Sequence, residues 1–169
     1  MREALRKIKV LVLDVDGVLT DGTIIVDAQG IESKNFHVQD GMGLVMLKKA
    51  GIKACLISAR ASAVSVHRAK DLQIERVFNG VYPKISAYET LLKEFGVSDE
   101  EVCFMGDDVV DIGILKRVGF AVAVPNAVFE VKQAADHVST ARGGEGAVRE
   151  IIELILKAQG KWGPELYEY

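Results

Sequence analysis

Short apolar runs of strand length, each followed by a segment of helical periodicity, recur along this chain, and that alternation restricts its fold more than any other feature. The runs are Ile8 to Leu13, Ile52 to Ile57, Arg76 to Phe78, Val102 to Met105 and Phe120 to Val124, and near-continuous apolar character is what strands covered on both faces require. Helix-period segments stand at Gly43 to Ala50, Ala61 to Leu72, Ile85 to Phe95, Val109 to Val118 and Val128 to Ala135, with Gly51, Gly96 and Gly119 near several of their ends. A last helix is expected over Gly146 to Ala158. The alternation predicts an α/β fold with a doubly wound, mainly parallel, Rossmann-like sheet. At 169 residues, 49% of them hydrophobic, the chain reads as a single domain over 1–169 with a core that needs no disulfide or metal staple.

Residues 23–38 break the rhythm. TIIV, then DAQG, then IESKNFHV read as two β-rich arms around a turn, a β-hairpin flap. Only about 35 residues separate Asp16 from the second strand, so no cap domain fits there, and the segment between Lys84 and Asp107 is as short. Residues 159–169 form an aromatic, Pro-containing tail in which Trp162, Tyr167 and Tyr169 read as interface anchors or as a frayed end.

The 21 Lys and Arg against 24 Asp and Glu leave a net charge of −3 without a block of either sign, which argues against a nucleic-acid partner. Val10 to Leu13 is too short for a signal-peptide core, and nothing approaches the roughly 18 unbroken apolar residues of a membrane span. A cytoplasmic protein with no membrane partner is expected. Cys55 and Cys103 lie in apolar runs and read as core thiols. His37, His67 and His137 lack a second ligand at metal spacing and read as structural or solvated.

In open α/β sheets ligands bind at the carboxyl ends of the strands, so the polar residues that follow the apolar runs carry the functional information. Asp14 and Asp16 follow the first run in DVDGVLTDG, Ser58 and Arg60 the second in ISAR, Lys84 the third, and GDDVVD, Gly106 to Asp111, the fourth. Gly17 lets the backbone turn closely. Asp14 and Asp16, two apart, point the same way if the chain stays extended, and with Asp107 and Asp108 opposite they form a carboxylate cluster that repels itself unless a hard cation neutralises it. Mg²⁺ suits such an all-oxygen site. Ser58 and Lys84 then serve as donors to phosphoryl oxygens, while Asp108 and Asp111 equally suit a helix N-terminus.

The DxDGxxTDG opening, the Ser, the Lys and GDDxxD together resemble the four motifs of the haloacid dehalogenase superfamily of phosphatases. The hairpin, KNFHVQDG (Lys34 to Gly41) and RGGEGAVREIIELILKAQGKW (Arg142 to Trp162) are similar to those of its capless 3-deoxy-D-manno-octulosonate 8-phosphate phosphatases. The resemblance implies a two-step hydrolysis in which Asp14 is the nucleophile and Asp16 the acid and base. It implies Mg²⁺ held by Asp14, the Asp16 backbone carbonyl and Asp107, with Asp108 and Asp111 orienting metal-bound water and Lys84, and Ser58 and Lys84 binding the phosphoryl group. It also implies a homotetramer. Glu145 stands where the resemblance leads one to expect a second Arg, and Ala59 departs from the usual second motif.

A sugar-acid phosphate carries a carboxylate besides its phosphate, which calls for guanidinium groups. Arg60 is the first candidate, with Arg142 and Arg149 behind it. Closure of the uncovered site is expected from the hairpin of one subunit and the tail of another. Competing readings are a phosphoacceptor signalling module, a non-catalytic assembly module of the same fold, and a phosphatase of a nine-carbon sugar-acid phosphate. The second Asp, two residues after the first, supplies the acid and base that a signalling module lacks.

Overall fold

The computed structural model describes residues 1–167, a range that leaves out Tyr169 of the tail. In chain order the elements are α1 (Arg2–Lys7), β1 (Val10–Leu13), β2 (Ile25–Val26), β3 (Glu32–Ser33), α2 (Val38–Lys49), β4 (Lys53–Ser58), α3 (Ala63–Asp71), β5 (Arg76–Asn79), α4 (Lys84–Phe95), β6 (Val102–Gly106), α5 (Ile112–Leu115), β7 (Phe120–Ala123), α6 (Phe129–Ala134), β8 (His137–Val138) and α7 (Ala147–Ala158). All five apolar runs contribute strands to one six-stranded sheet of order β5-β4-β1-β6-β7-β8, and each of its pairings is parallel. From β1 the chain winds outward through β4 and β5, then returns to β6 on the other side. The order reverses at β1, which places a crevice at the carboxyl ends of the central strands.

β1 and β7 are buried along their whole length, as is β6, which is why their sequence shows no polar alternation. The helices fall into two groups in mutual contact, α1, α2 and α7 in one and α4, α5 and α6 in the other, with α2 and α4 both meeting β4. Ile151, Ile152, Ile155 and Leu156 give α7 its buried face.

The flap, α2 and α5 depart from the sequence reading. The flap strands are two residues each, paired antiparallel through Ile25 with Ser33 and Val26 with Glu32. α2 starts at Val38, five residues before Gly43, because its first turn holds Gln39, Asp40 and Gly41 in place of apolar residues. Asp40 is buried, and its Oδ1 accepts from the Arg149 backbone N–H at 2.8 Å. A carboxylate on one helix thus caps the amino end of another, where Gly146 offers no side chain. The third departure is α5, which is short because Asp108 and Asp111 cap a 3₁₀ turn over Val109–Asp111 ahead of it. α1 and β8 were not anticipated at all.

The described tail docks on its own chain. Trp162 lies 5.2 Å beneath both Arg149 and Lys157, and Leu166 is buried.

The loop before α7 is packed onto the loop after β1. Asn126 joins them, donating from Nδ2 to the Gly17 carbonyl and accepting from the Gly143 N–H through Oδ1, both at 2.8 Å. A Cβ on Gly143 would overlap that same carbonyl. Gly143→Ala is therefore expected to cost about 1–3 kcal/mol, as overpacking of a fixed contact does, in urea unfolding. Gly113→Ala, in α5 with open space around its Cβ, is expected to be neutral or slightly stabilising in the same measurement.

Candidate active site

The carboxyl ends of β1, β4 and β6 converge with the first turn of α4. Asp14 follows β1 directly, and its N–H donates to the Met105 carbonyl at 3.0 Å, which holds it beside β6. The next residues turn instead of extending. The Gly17 and Gly22 N–H groups both donate to Thr20 Oγ1 at 3.2 Å, and Gly17 takes a φ of +95°, open to glycine at little cost. A Cβ there would fall on the Asp107 carboxylate, so the absence of a side chain lets the loop lie against that group.

Lys84, its side chain 1% exposed, bridges Asp14 Oδ1 at 2.8 Å and Asp111 Oδ1 at 2.7 Å. Asp111 Oδ2 accepts from the backbone N–H groups of Asp107 and Asp108 at 3.0 and 3.3 Å. Both Asp111 oxygens are thus engaged in holding Lys84 and the loop after β6. Burial raises the Asp14 pKa to about 6, with Asp111 adding to the shift and Lys84 opposing it. Burial also raises Asp107 to about 8, reinforced by the charges of Asp14 and Asp111. Burial works against the charge on Lys84, yet Asp14 and Asp111 outweigh it and hold its pKa above the ordinary lysine value.

Asp14, Asp107 and Asp111 each bring one carboxylate oxygen within 4.8 Å of the others. Asp107 Oδ1 is buried without a hydrogen-bond partner among the described residues. Buried acceptors left open in this way, on carboxylates that repel one another, fit a hard divalent cation, which replaces their protons and cancels the repulsion.

A cleft of about 240 Å³ opens over this cluster, lined by Asp14, Asp16, Ser58, Arg60, Lys84 and Asp107, with Asp108 at its rim. Ser58 ends β4, donates from Oγ to the Arg60 carbonyl at 2.9 Å and accepts from the Arg60 N–H at 3.3 Å. Asp108 is exposed, and its Oδ1 accepts from the Val109 N–H at 2.8 Å. Arg142 and Arg149, expected near the substrate, do not line this cleft. Arg142 is exposed and 4.0 Å from Glu145, whereas Arg149 pairs with Glu153 at 2.9 Å on α7 and covers Trp162.

The flap brings in two residues that the sequence reading missed. Lys34 Nζ lies 2.5 Å from Asp16 Oδ1. Glu32 pairs with Arg60 and accepts from Ser62 Oγ at 2.6 Å. The Ser62 hydroxyl, with Arg60 and Lys34, holds Glu32 below the usual carboxylate range. Glu32 and Lys34 are two apart on one arm and so share a side, a signal present in the sequence. Cys55 and Cys103 are free and buried, and burial pushes both thiols up. Of the histidines, His37 stands at the N-cap position of α2 without a side-chain capping bond, His67 is exposed and His137 stacks on Phe120; none lines the cleft.

The family of haloacid dehalogenase-like hydrolases matches residues 61–152. A 3-deoxy-D-manno-octulosonate 8-phosphate phosphatase of Haemophilus influenzae is 44% identical over 95% of this chain and 89% of that protein. Its counterpart in Escherichia coli K12 is 38% identical over 91% of this chain and 82% of that protein. The Moraxella catarrhalis phosphatase of the same name, solved with magnesium, phosphate and a KDO molecule, superposes with a TM-score of 0.93 at 40% identity, covering 95% of this chain and 92% of that one. The cobalt-bound Haemophilus enzyme superposes with a TM-score of 0.92 at 42% identity over 98% and 96%. With its carboxylates, Ser58 and Lys84 gathered at the switch point of a six-stranded parallel sheet, the chain belongs to the haloacid dehalogenase-like hydrolases.

Proposed function

We propose that this chain is a Mg²⁺-dependent phosphatase that converts 3-deoxy-D-manno-octulosonate 8-phosphate to the free sugar acid and phosphate, a step in making lipopolysaccharide precursors. The observation that carries the reading is the group of buried Asp14 and Asp111 and half-buried Asp107 around Lys84, with Ser58 facing the same cleft. The relatives named for this substrate, and the Moraxella structure holding magnesium, phosphate and KDO, support it. All catalysis is assigned to one domain, with the hairpin as its flap.

Asp14 attacks phosphorus to give an aspartyl-phosphate while Asp16 protonates the departing sugar alkoxide; Asp16 then takes a proton from water as that water releases phosphate from Asp14. Lys84 and Ser58 bind phosphoryl oxygens. Mg²⁺, held by Asp14, Asp107 and the Asp16 carbonyl, supplies positive charge where negative charge gathers on those oxygens. Asp111 acts through Lys84, and Asp108 toward water on the cation. Arg60 is proposed for the substrate carboxylate, reached by exchanging its Glu32 partner. Arg142 and Arg149 reach substrate in this proposal only across a subunit boundary.

Ile24, Ile25, Val26 and Ile31 of the flap and Val38 and Met42 of α2 are exposed, an apolar patch that supports the homotetramer. The unpaired buried cysteines support a cytoplasmic location, and among the described residues no helix is long and apolar enough to cross a membrane.

With Mg²⁺, phosphate release from the eight-carbon substrate is expected at a kcat/KM above about 10⁴ M⁻¹s⁻¹, with none in EDTA and none from Asp14→Asn. Preference for a nine-carbon homologue would change the substrate and keep the chemistry; a phosphoaspartate that persists, or no turnover at all, would sink the phosphatase reading in favour of a signalling or assembly role. Thermal melts check the cation independently of activity. Mg²⁺ at about 100 times its Kd adds about 2.7 kcal/mol to the parent, a rise of several degrees, and Asp107→Asn is expected to lose that response while melting no lower than the metal-free parent.

A further inference from the structure

Lys34 sits on a flap whose other residues are largely exposed, yet its side chain is 1% exposed. Burying an ammonium is costly unless it is paired and hydrogen-bonded. Its partner is Asp16, whose Oδ1 accepts at 2.5 Å, with Glu32 Oε1 3.8 Å away. The other oxygen of that carboxylate is treated differently. Asp16 Oδ2 is buried and has no hydrogen-bond partner among the described residues, and Arg60 Nη1 is 3.9 Å off. A buried acceptor left open calls for an explanation.

The chemistry of an ammonium supplies one. It offers three donors and no acceptor, so the oxygen that faces it is committed to accepting. Any proton that Asp16 passes on must travel through the other oxygen. We propose that Lys34 is a positioning residue: it clamps Asp16 by Oδ1, so that Oδ2 alone exchanges a proton with the leaving group and then with water. The inference rests on the phosphatase reading and deepens it. In the first step the bond from Asp14 to phosphorus forms, the bond to the leaving oxygen breaks, and that oxygen receives the proton from Asp16 Oδ2. In the second, a water oxygen bonds phosphorus, its proton goes to Oδ2, and the bond to Asp14 breaks. The flap is then part of the proton-transfer apparatus and not only a cover.

The competing explanation is an ion pair that merely pins the flap. The two differ in how they depend on the leaving group, because p-nitrophenolate departs without protonation and the more basic phenolate does not. We would measure kcat/KM of the full chain with Mg²⁺ on phenyl phosphate and on p-nitrophenyl phosphate, neither of which carries a carboxylate. This ratio reports the first step and is blind to the second. Lys34→Met is expected to lose about 10-fold or more on phenyl phosphate and distinctly less on the nitrophenyl ester. Placed in an Asp16→Asn background, the same change is expected to add almost nothing, as two residues acting through one contact require. Lys34→Arg, which keeps a charged donor, is expected to recover part of the loss and replaces the Met variant if the latter melts early. Equal losses on both esters, or full additivity with Asp16→Asn, would overturn the role of Lys34 while the parent remains active. A parent inactive on every phosphate ester would overturn the phosphatase reading itself.

Discussion

Everything at this site depends on one enclosed cation. Lys84 is held between Asp14 and Asp111 with almost no contact with water, in an environment where a charge without a partner is costly. Its ammonium offsets only part of the negative charge around it, since Asp107 faces the same space, where burial and the charges of Asp14 and Asp111 push its pKa well above the usual carboxylate range. The remaining imbalance is what makes the cluster receptive to a divalent ion and to the phosphoryl group such an ion would neutralise. A site balanced within itself would have no reason to bind either.

The fold exists to hold that imbalance in place. β1 and β6 are wholly buried, so the residues that follow them emerge at fixed positions on the sheet edge. Asn126 ties the loop after β1 to the loop before α7, and Asp40 ties α2 to the start of α7. Each tie is made by a single polar side chain that satisfies backbone groups otherwise left open, which is how short loops become rigid without secondary structure. Electrostatic catalysis depends on donors and charges that do not have to reorganise, and these loops meet that condition.

The flap adds a second electrostatic layer. Glu32 and Lys34 alternate with Asp16 and Arg60 in a ring of two anions and two cations. Opposite charges so arranged fix the flap over the site, and in the proposed function a substrate carboxylate takes the place of Glu32 on Arg60. On that proposal, selection of substrate and orientation of the acid group are linked through one hairpin.

The parallel α/β fold and the residues at its strand ends were legible in the sequence because both are local in origin. Strand burial leaves continuous apolar runs, and the residues that follow them, Asp14, Ser58 and Asp107, line the cleft. Lys84, further along after its run, was found the same way. What the sequence did not disclose were choices between distant partners. Nothing local tells that Asp40 reaches Arg149, that Asn126 reaches Gly17 and Gly143, or that Asp111 spends both oxygens on Lys84 and two amides. Arg142 and Arg149 were as plausible as Arg60 by charge alone, and only the direction of the loop before α7 and of α7 itself separated them from the cleft. By itself, then, the sequence determined the succession of strands along the chain, the oxygen-rich rim and the kind of chemistry that rim performs. The tertiary structure decided which carboxylate oxygens are left open and which are already engaged, because that depends on burial and on contacts between residues far apart in the chain.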